Sequence, residues 1–223
     1  MNMTIKLLIC VAILTFGPGD IMAIEEANYE VVLKSNNFEV RDYAPHIIAE
    51  TVVAGNLEDA GSKAFKILFD YISGGNQSRM KIDMTAPVSQ QANSEQIKMT
   101  APVSQRRSEN KWAVSFMMPA SYTLETLPKP ENPKVVLRQI TARRMATVRY
   151  TGLWSQKGYL ENKLKLERWI SDKRLNTVGD PIWARYNSPF TPWFLRRNEI
   201  LIPIASDTNQ KTDQATTNSK QNG

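Results

Sequence analysis

The order of predicted secondary-structure elements repeats once along this chain. Residues 38–55 align without a gap over residues 135–152, and each segment looks like two strands running into a helix. The identities are few, at Arg41 and Arg138, Ala49 and Ala146, and Gly55 and Gly152. Strands also follow the helix in each half, so the matched order is the stronger signal. The sequence therefore predicts one α+β domain of two β-β-α-β-β halves related by a pseudo-twofold axis.

The predicted sheet is largely antiparallel, with both helices packed on it. Halves of this kind usually enclose a groove, which is a natural ligand site. The predicted strands are 29–33, 38–43, 47–53, 84–89, 112–118, 135–140, 145–150, 182–186 and 199–204.

The first predicted helix carries an unusually wide apolar surface. Asn56 is a suitable cap, and the helix runs to about Ile72 before Gly74-Gly75. Phe65 and Phe69 widen its apolar stripe to roughly 200°, where about 100° suffices for one core face. Two interpretations stay open: loops cover the two phenylalanines, or the two rings border a ligand groove. The second predicted helix spans about 153–172.

The N-terminus has the pattern of a secretory signal peptide, residues 1–23. Its apolar run, Leu7–Phe16, is too short for a stable bilayer span. Cleavage after Ala23 would remove Cys10, the only cysteine, and would exclude disulfides, thiolate sites and covalent haem attachment. We expect a periplasmic or secreted protein without a stable membrane span, an uncleaved anchor being the alternative.

The remaining chain divides into a domain at 25–204 and a polar tail at 205–223 without large apolar residues, which we expect to be disordered. The net charge of +6 favours anionic partners. The basic residues are scattered pairs instead of a stripe, so nucleic acid is not an expected partner. A monomer is expected.

A heptapeptide, Met-Thr-Ala-Pro-Val-Ser-Gln, occurs at 84–90 and again at 99–105. It contains no nucleophile paired with a base, so it indicates architecture and kinship more than chemistry. Pro87 and Pro102 predict that each copy ends at a sheet edge or bulge. Its two methionines, Met84 and Met99, are possible iron ligands, although methionine is more often core filler.

The candidate chemistry of the chain is sparse. His46 is the only histidine, so it is either a structural residue or an axial ligand of a haem iron. Met117 and Met118 are further possible ligands. Glu50 is either a general base in a groove or a residue that points to solvent.

The sequence resembles the SOUL haem-binding family over Tyr29–Ile204. The resemblance lies in the Met-Thr-Ala-Pro-Val block and in residues 29–32, 38–43, 112–119, 186–189 and 196–200. The doubled heptapeptide in an exported chain is similar to the bacterial branch of the family. The resemblance implies a distorted antiparallel β-barrel with two helices, non-covalent binding of haem or another tetrapyrrole in an apolar groove, and no catalysis. The fold also resembles effector-binding domains, so other planar apolar ligands are possible partners.

One departure from the family concerns iron ligation. Some members carry a histidine immediately before the tyrosine of the Phe-Glu-Val-Arg-Asp-Tyr motif, and this chain has Asp42 there. Hydrophobic contact and basic residues such as Lys63, Lys66 or Arg41 would then hold the ligand. The predicted haem-binding residues are His46, Lys63, Phe65, Phe69, Met84 and Met99.

The leading hypothesis is a tetrapyrrole carrier, buffer or scavenger. The alternatives are a hydrolase or tetrapyrrole-modifying enzyme that uses Glu50, and an envelope protein that binds another apolar molecule such as a peptide or lipid.

Overall fold

The computed structural model describes residues 24–78 and 94–206. Two helices, α1 (Leu57–Ile72) and α2 (Gln156–Asp172), lie among strands β1 (Tyr29–Ser35), β2 (Phe38–Tyr43), β3 (His46–Val53), β4 (Asn76–Gln77), β5 (Val103–Ser108), β6 (Lys111–Met117), β7 (Lys129–Pro130), β8 (Val136–Ile140), β9 (Arg143–Thr151), β10 (Ile182–Arg185) and β11 (Arg197–Pro203). A short 3₁₀ helix, Trp193–Leu195, precedes β11. The predicted α+β class with two main helices is confirmed.

Nine strands form one antiparallel sheet in the order β1-β2-β9-β11-β10-β5-β6-β3-β8, and β4 and β7 pair separately. Eight strands of this sheet, all except β1, come in equivalent pairs: β2 with β8, β3 with β9, β5 with β10 and β6 with β11. Exchanging the members of each pair reverses the order of these eight strands, so the pseudo-twofold axis passes between β5 and β10. The first two strands of each half do not pair with each other. Strand β2 pairs with β9 and β8 pairs with β3, so each half contributes its first strand to the other half.

Both helices pack on the same face of the sheet. Helix α1 covers β3 and β6 through a core that includes Ala49 and Val114, and α2 covers β9 and β11 through Val148 and Ile200. Residues directly opposite each other on neighbouring strands point to the same face. Such pairs lead from Val114 through Gln105 and Trp183 to Ile200 and Val148, so the two helix-covered regions share one face. Side chains one residue away on each strand must therefore lie on the opposite face, here called the inner face.

The sheet curls around its inner face into a half-barrel. His46 on β3 and Arg143 on β9 border the same small cavity. Four strands separate β3 from β9 in the sheet. Their side chains can meet only if the sheet closes toward the inner face. The predicted distorted antiparallel barrel is confirmed.

The helix boundaries follow their capping residues. The Asn56 side chain accepts a hydrogen bond from the backbone N–H of Asp59 at 2.8 Å, and α1 ends before Gly74, whose φ of +120° suits glycine. Helix α2 begins at Gln156, later than the predicted position 153, because the Ser155 hydroxyl accepts from Gly158 N–H.

The strand that pairs with β6 comes from the second heptapeptide. Strand β5 starts at Val103, immediately after the cis peptide bond between Ala101 and Pro102. The prediction of a sheet edge at Pro102 is wrong for this copy, because β5 pairs with both β6 and β10. Pro102 precedes the ladder, so the lack of an N–H costs no strand pairing. The first heptapeptide, with Met84 and the predicted strand 84–89, lies outside the described residues.

The predicted signal peptide (1–23) and all of the predicted tail except residues 205 and 206 also lie outside the described residues. Across residues 24–78 and 94–206, no helix is long and apolar enough to cross a membrane.

Candidate functional site: the inner groove

Three adjoining cavities share His46 as a lining residue. Two lie on the inner side of the half-barrel, and the first lies at its end, where Ile47 and Met118 from the helix side also border it. Two have volumes of about 270 Å³, and the third, between them, has about 50 Å³. We call the three together the inner groove. His46 is the first residue of β3 and lies where the three cavities meet.

At one end, the first cavity combines apolar lining residues with three glutamates, and the middle cavity next to it is mainly apolar. Met117 from β6 borders both the first cavity and the small middle one, together with Ala27 from the N-terminal segment. Met145 and Leu201 line the middle cavity from β9 and β11. Residues of both halves thus contribute, as the predicted groove between halves requires.

The other end, here called the basic pole, is lined by Arg106, Arg138 and Arg143 with Glu50. Glu50 is 7% exposed, and its carboxylate pairs with Arg138 at 2.8 Å and with Arg106 at 3.0 Å. Glu50 therefore does not point freely to solvent. Both of its oxygens accept hydrogen bonds from guanidinium groups, which disfavours the general-base role considered for it.

The geometry at His46 fixes its tautomer. Nδ1 lies 3.0 Å from the backbone oxygen of Ala44. A carbonyl oxygen can only accept, so Nδ1 carries the proton and donates it. Burial lowers the pKa of His46 against the opposing effect of this hydrogen bond, and the nearby positive charge of Arg143 lowers it further. At neutral pH the imidazole is uncharged and Nε2 keeps a free lone pair.

A buried charge network closes the inner face beside the groove. Glu199 has no exposed surface, and it accepts hydrogen bonds from Arg41 at 2.7 Å, Arg197 at 3.0 Å and the hydroxyl of Tyr186 at 2.9 Å. Arg197 also pairs with Glu26 at 2.9 Å. This network ties the N-terminal segment to β2 and β11 and fixes one wall of the groove.

The structure does not bring all the predicted binding residues together. Lys63 and Phe69 are exposed on α1, and Phe65 is half-buried against Phe116. The rings of Phe65 and Phe69 stack with centroids 5.7 Å apart. Helix α1 covers the face opposite His46, because strand alternation directs His46 inward and its neighbour Ile47 toward the helix.

The remaining predicted binding residues that the structure describes do not line the inner groove. Met99 is 43% exposed and does not line the inner groove, and Met84 lies outside the described residues. Arg41 is 3% exposed and committed to Glu39 and Glu199. Asp42, at the family's histidine position, pairs with Arg144 at 2.8 Å and shares the helix side of β2 with Val40.

The sequence analysis did not predict the arginines of the basic pole as site residues. Arg138 appeared there only as a repeat position, and the scattered basic pairs include Arg106-Arg107 and Arg143-Arg144 without pointing to a site. Strand alternation could have placed Arg143 and Met145 on one face of β9. Only the curl of the sheet brings that face to His46.

The sequence from residue 24 to residue 203 matches the SOUL heme-binding protein family. The chain belongs to this family. The residues of the family resemblance, including Arg41, Tyr43, Tyr186, Arg197 and Glu199, converge in the buried network. No curated protein matches the SOUL chain by sequence.

Several solved structures share the fold at low sequence identity. The EcmrR C-terminal domain has a TM-score of 0.55 and 10% identity, covering 80% of this chain and 98% of that one. An uncharacterized conserved protein from Listeria innocua has a TM-score of 0.56 and 11% sequence identity, and the match covers 77% of this chain and 93% of that one. A hydrolase from the same organism has a TM-score of 0.51 and 10% sequence identity, and the match covers 78% of this chain and 94% of that one. At these identities, the likeness concerns the fold alone.

Proposed function

We propose that this SOUL-family protein binds haem or a related tetrapyrrole non-covalently in the inner groove, where His46 Nε2 would hold the iron. The observation that carries the proposal is the position of His46. The only histidine of the chain borders all three cavities, and its Nε2 is free to coordinate. The hydrogen bond from Nδ1–H to Ala44 would orient the ring and increase its basicity as a ligand.

The apolar middle cavity and the basic pole beside it suit an amphipathic ligand. A haem has an apolar ring system and two carboxylates on one edge. Ala27, Met117 and Met145 would contact the ring, and the basic pole would receive the carboxylates. Ligand pockets usually have about 300–1,000 Å³. Each cavity is smaller, so a macrocycle would have to lie across more than one of them at His46.

In this role the protein would be a tetrapyrrole carrier, buffer or scavenger in the periplasm or outside the cell. The predicted signal peptide supports the location, and the family supports the ligand class. Burial of the apolar macrocycle would supply most of the affinity, with iron ligation as a second contribution. A monomer would be sufficient, because one chain supplies every wall of the groove.

A hemin titration of the mature protein, followed at the Soret band, tests the proposal. We expect a saturable shift at micromolar protein, and its absence would refute haem binding. His46→Ala should change the position of the Soret band and weaken binding. Phe69→Ala, on the opposite face of the sheet, is the matched control and should behave like the parent. The reverse pattern would move the site to the α1 surface.

The enzymatic alternative has a separate test. Glu50 is held by two arginines, so the described geometry does not favour a hydrolase. Incubation with a tetrapyrrole followed by mass spectrometry would reveal any modification, because a carrier returns its ligand unaltered. Native mass spectrometry of protein from its own source would identify a peptide or lipid ligand, which would support the envelope-protein alternative.

A further inference from the structure

The basic pole carries more positive than negative charge. Arg106, Arg138 and Arg143 line it together, and in the part of the chain that the structure describes Glu50 is its only carboxylate lining residue. His46 is uncharged at neutral pH, so three guanidinium groups face one carboxylate and two positive charges stay uncompensated. Glu50 is shared by Arg106 and Arg138, which leaves Arg143 as the unpaired member.

Arg143 is an unusual arginine for a groove wall. Among the described residues, its buried Nε has no hydrogen-bond partner, and no carboxylate pairs with its guanidinium. Burial lowers the pKa of Arg143, Tyr43 opposes the change, and repulsion from Arg106 adds to it. A buried donor without a partner is rare in native proteins and calls for a ligand or solvent to complete it.

Two hydroxyl groups border the same space. Ser104 and Ser115 are cross-strand partners on β5 and β6, and both line the middle cavity and the basic pole with Arg143. Neither hydroxyl has a hydrogen-bond partner among the described protein groups. Two rotatable hydroxyl donors beside a guanidinium match the needs of an oxyanion, whose oxygens accept several hydrogen bonds.

We propose that Arg143 and Arg106, with the hydroxyls of Ser104 and Ser115, form an oxyanion site that binds a phosphate or carboxylate group even when no tetrapyrrole is present. The inference deepens the proposed function, because this site would receive the propionates of a bound tetrapyrrole. It does not depend on haem binding, since the donors are present without the ligand. The shared chemistry is an oxyanion, from a free ion or from the acidic edge of a larger ligand.

Calorimetric titration of the mature protein with sodium phosphate, and separately with sodium acetate, tests the site at constant ionic strength. We expect saturable binding of at least one of the two ions. Arg143→Gln should weaken it by about tenfold or more, as expected for loss of a charge-assisted hydrogen bond. Arg149→Gln is the matched control, since Arg149 is an exposed arginine on the same strand. It should bind like the parent.

Two results would overturn the inference. The first is that neither ion shows saturable binding. The second is that Arg143→Gln and Arg149→Gln weaken binding equally, which would indicate a nonspecific charge effect. Arg143→Gln should keep its melting temperature, because it removes a cation without a partner. If it does not fold, Ser104→Ala is the second variant, and it should weaken ion binding while Ser62→Ala on α1 leaves it unchanged.

Competition separates this inference from the tetrapyrrole proposal. The ion that binds, added first, should weaken hemin binding but not binding of the hemin dimethyl ester, which lacks free carboxylates. Equal effects on both ligands would overturn a shared carboxylate site. If the ion binds at Arg143 and hemin does not bind at all, the oxyanion site stands and the proposed function fails.

Discussion

Glu199 shows how much of this sequence is committed to structure at the level of single residues. It is fully buried, and two arginines and a tyrosine donate to its carboxylate. Burial alone would raise the pKa of Glu199, but the hydrogen bond and charge of Arg41, with the charge of Arg197, lower it below its usual value. The strong family motifs therefore supply a buried network, whereas the candidate ligand residue His46 lies outside them.

Glu199→Gln should destabilise the protein strongly. The variant keeps the shape but leaves Arg41 and Arg197 without their shared counter-charge, and breaking a buried ion pair costs about 3–5 kcal/mol. Urea unfolding should show this loss in the free energy of unfolding. Glu30→Gln, at an exposed position of β1, should stay within about 0.5 kcal/mol of the parent. A loss below about 1 kcal/mol for Glu199→Gln would contradict the importance of the network.

The lowered pKa of Glu199 also sets a pH dependence. A carboxyl whose folded pKa is lowered adds stability above its unfolded pKa, near 4.5, and loses it as pH falls through the folded value. The parent should therefore lose unfolding free energy below about pH 4.5 more steeply than Glu199→Gln. Urea unfolding between pH 6 and 3 measures the difference. Parallel curves for the two proteins would contradict it.

His46 should titrate below its ordinary value of 6.5. The folded protein disfavours the imidazolium, so stability from this residue is complete above pH 6.5 and declines as pH falls through the unfolded pKa. Because the chain has one histidine, NMR of the mature protein should show a single imidazole titration with a midpoint below 6.5. A midpoint at or above that value would show that the ring is not buried as described.

At the scale of elements, α1 is shaped by an arginine that packs beneath it. Arg185 from β10 lies over the rings of Trp154 and Trp183 at 5.4 and 5.1 Å, and burial lowers its pKa to about 10. Gly61 is the helix residue above it. A Cβ at this glycine would lie 2.8 Å from Nη2 of Arg185. The glycine gives up helix propensity because the guanidinium occupies the space of a side chain.

Gly61→Ala should therefore destabilise the protein, by about 1 kcal/mol, although alanine gains about 1 kcal/mol over glycine in an open helix. Thermal unfolding would measure the loss. Gly158→Ala in α2 is the comparison, since its Cβ would meet mainly the rotatable Ser155 hydroxyl, at 3.3 Å. It should be at least as stable as the parent. Stabilisation by Gly61→Ala would mean that Arg185 moves aside freely.

At the scale of the whole molecule, the two halves are interlocked by exchanged strands. Strand β2 pairs with β9 over six positions, and β8 pairs with β3 over five. Each half therefore completes the sheet of the other. The inner groove also joins the two halves, because His46 on β3 and Arg143 on β9 belong to different halves and border the same cavity.

A fragment ending between β7 and β8, residues 24–132, should not fold alone. It would contain β2 without β9 and β3 without β8, and so expose unpaired edges and apolar surface. Circular dichroism and NMR of the fragment should show little fixed structure, and mixing it with residues 133–206 should restore the native spectrum. A cooperatively folded isolated fragment would contradict the interlocked arrangement.

The sequence by itself determined most of the local elements, the α+β class, the duplicated order and the family. These depend on alternation, on capping residues such as Asn56 and Ser155, and on motifs that can be recognised directly. Only the tertiary structure decided which elements share a site. Strand alternation places His46 and Ile47 on opposite faces of the sheet. Which of the two faces the helices cover depends on long-range pairing, which the local sequence does not reveal. That pairing puts Phe65 and Phe69 on one face of the sheet, and His46 and Arg143 on the other.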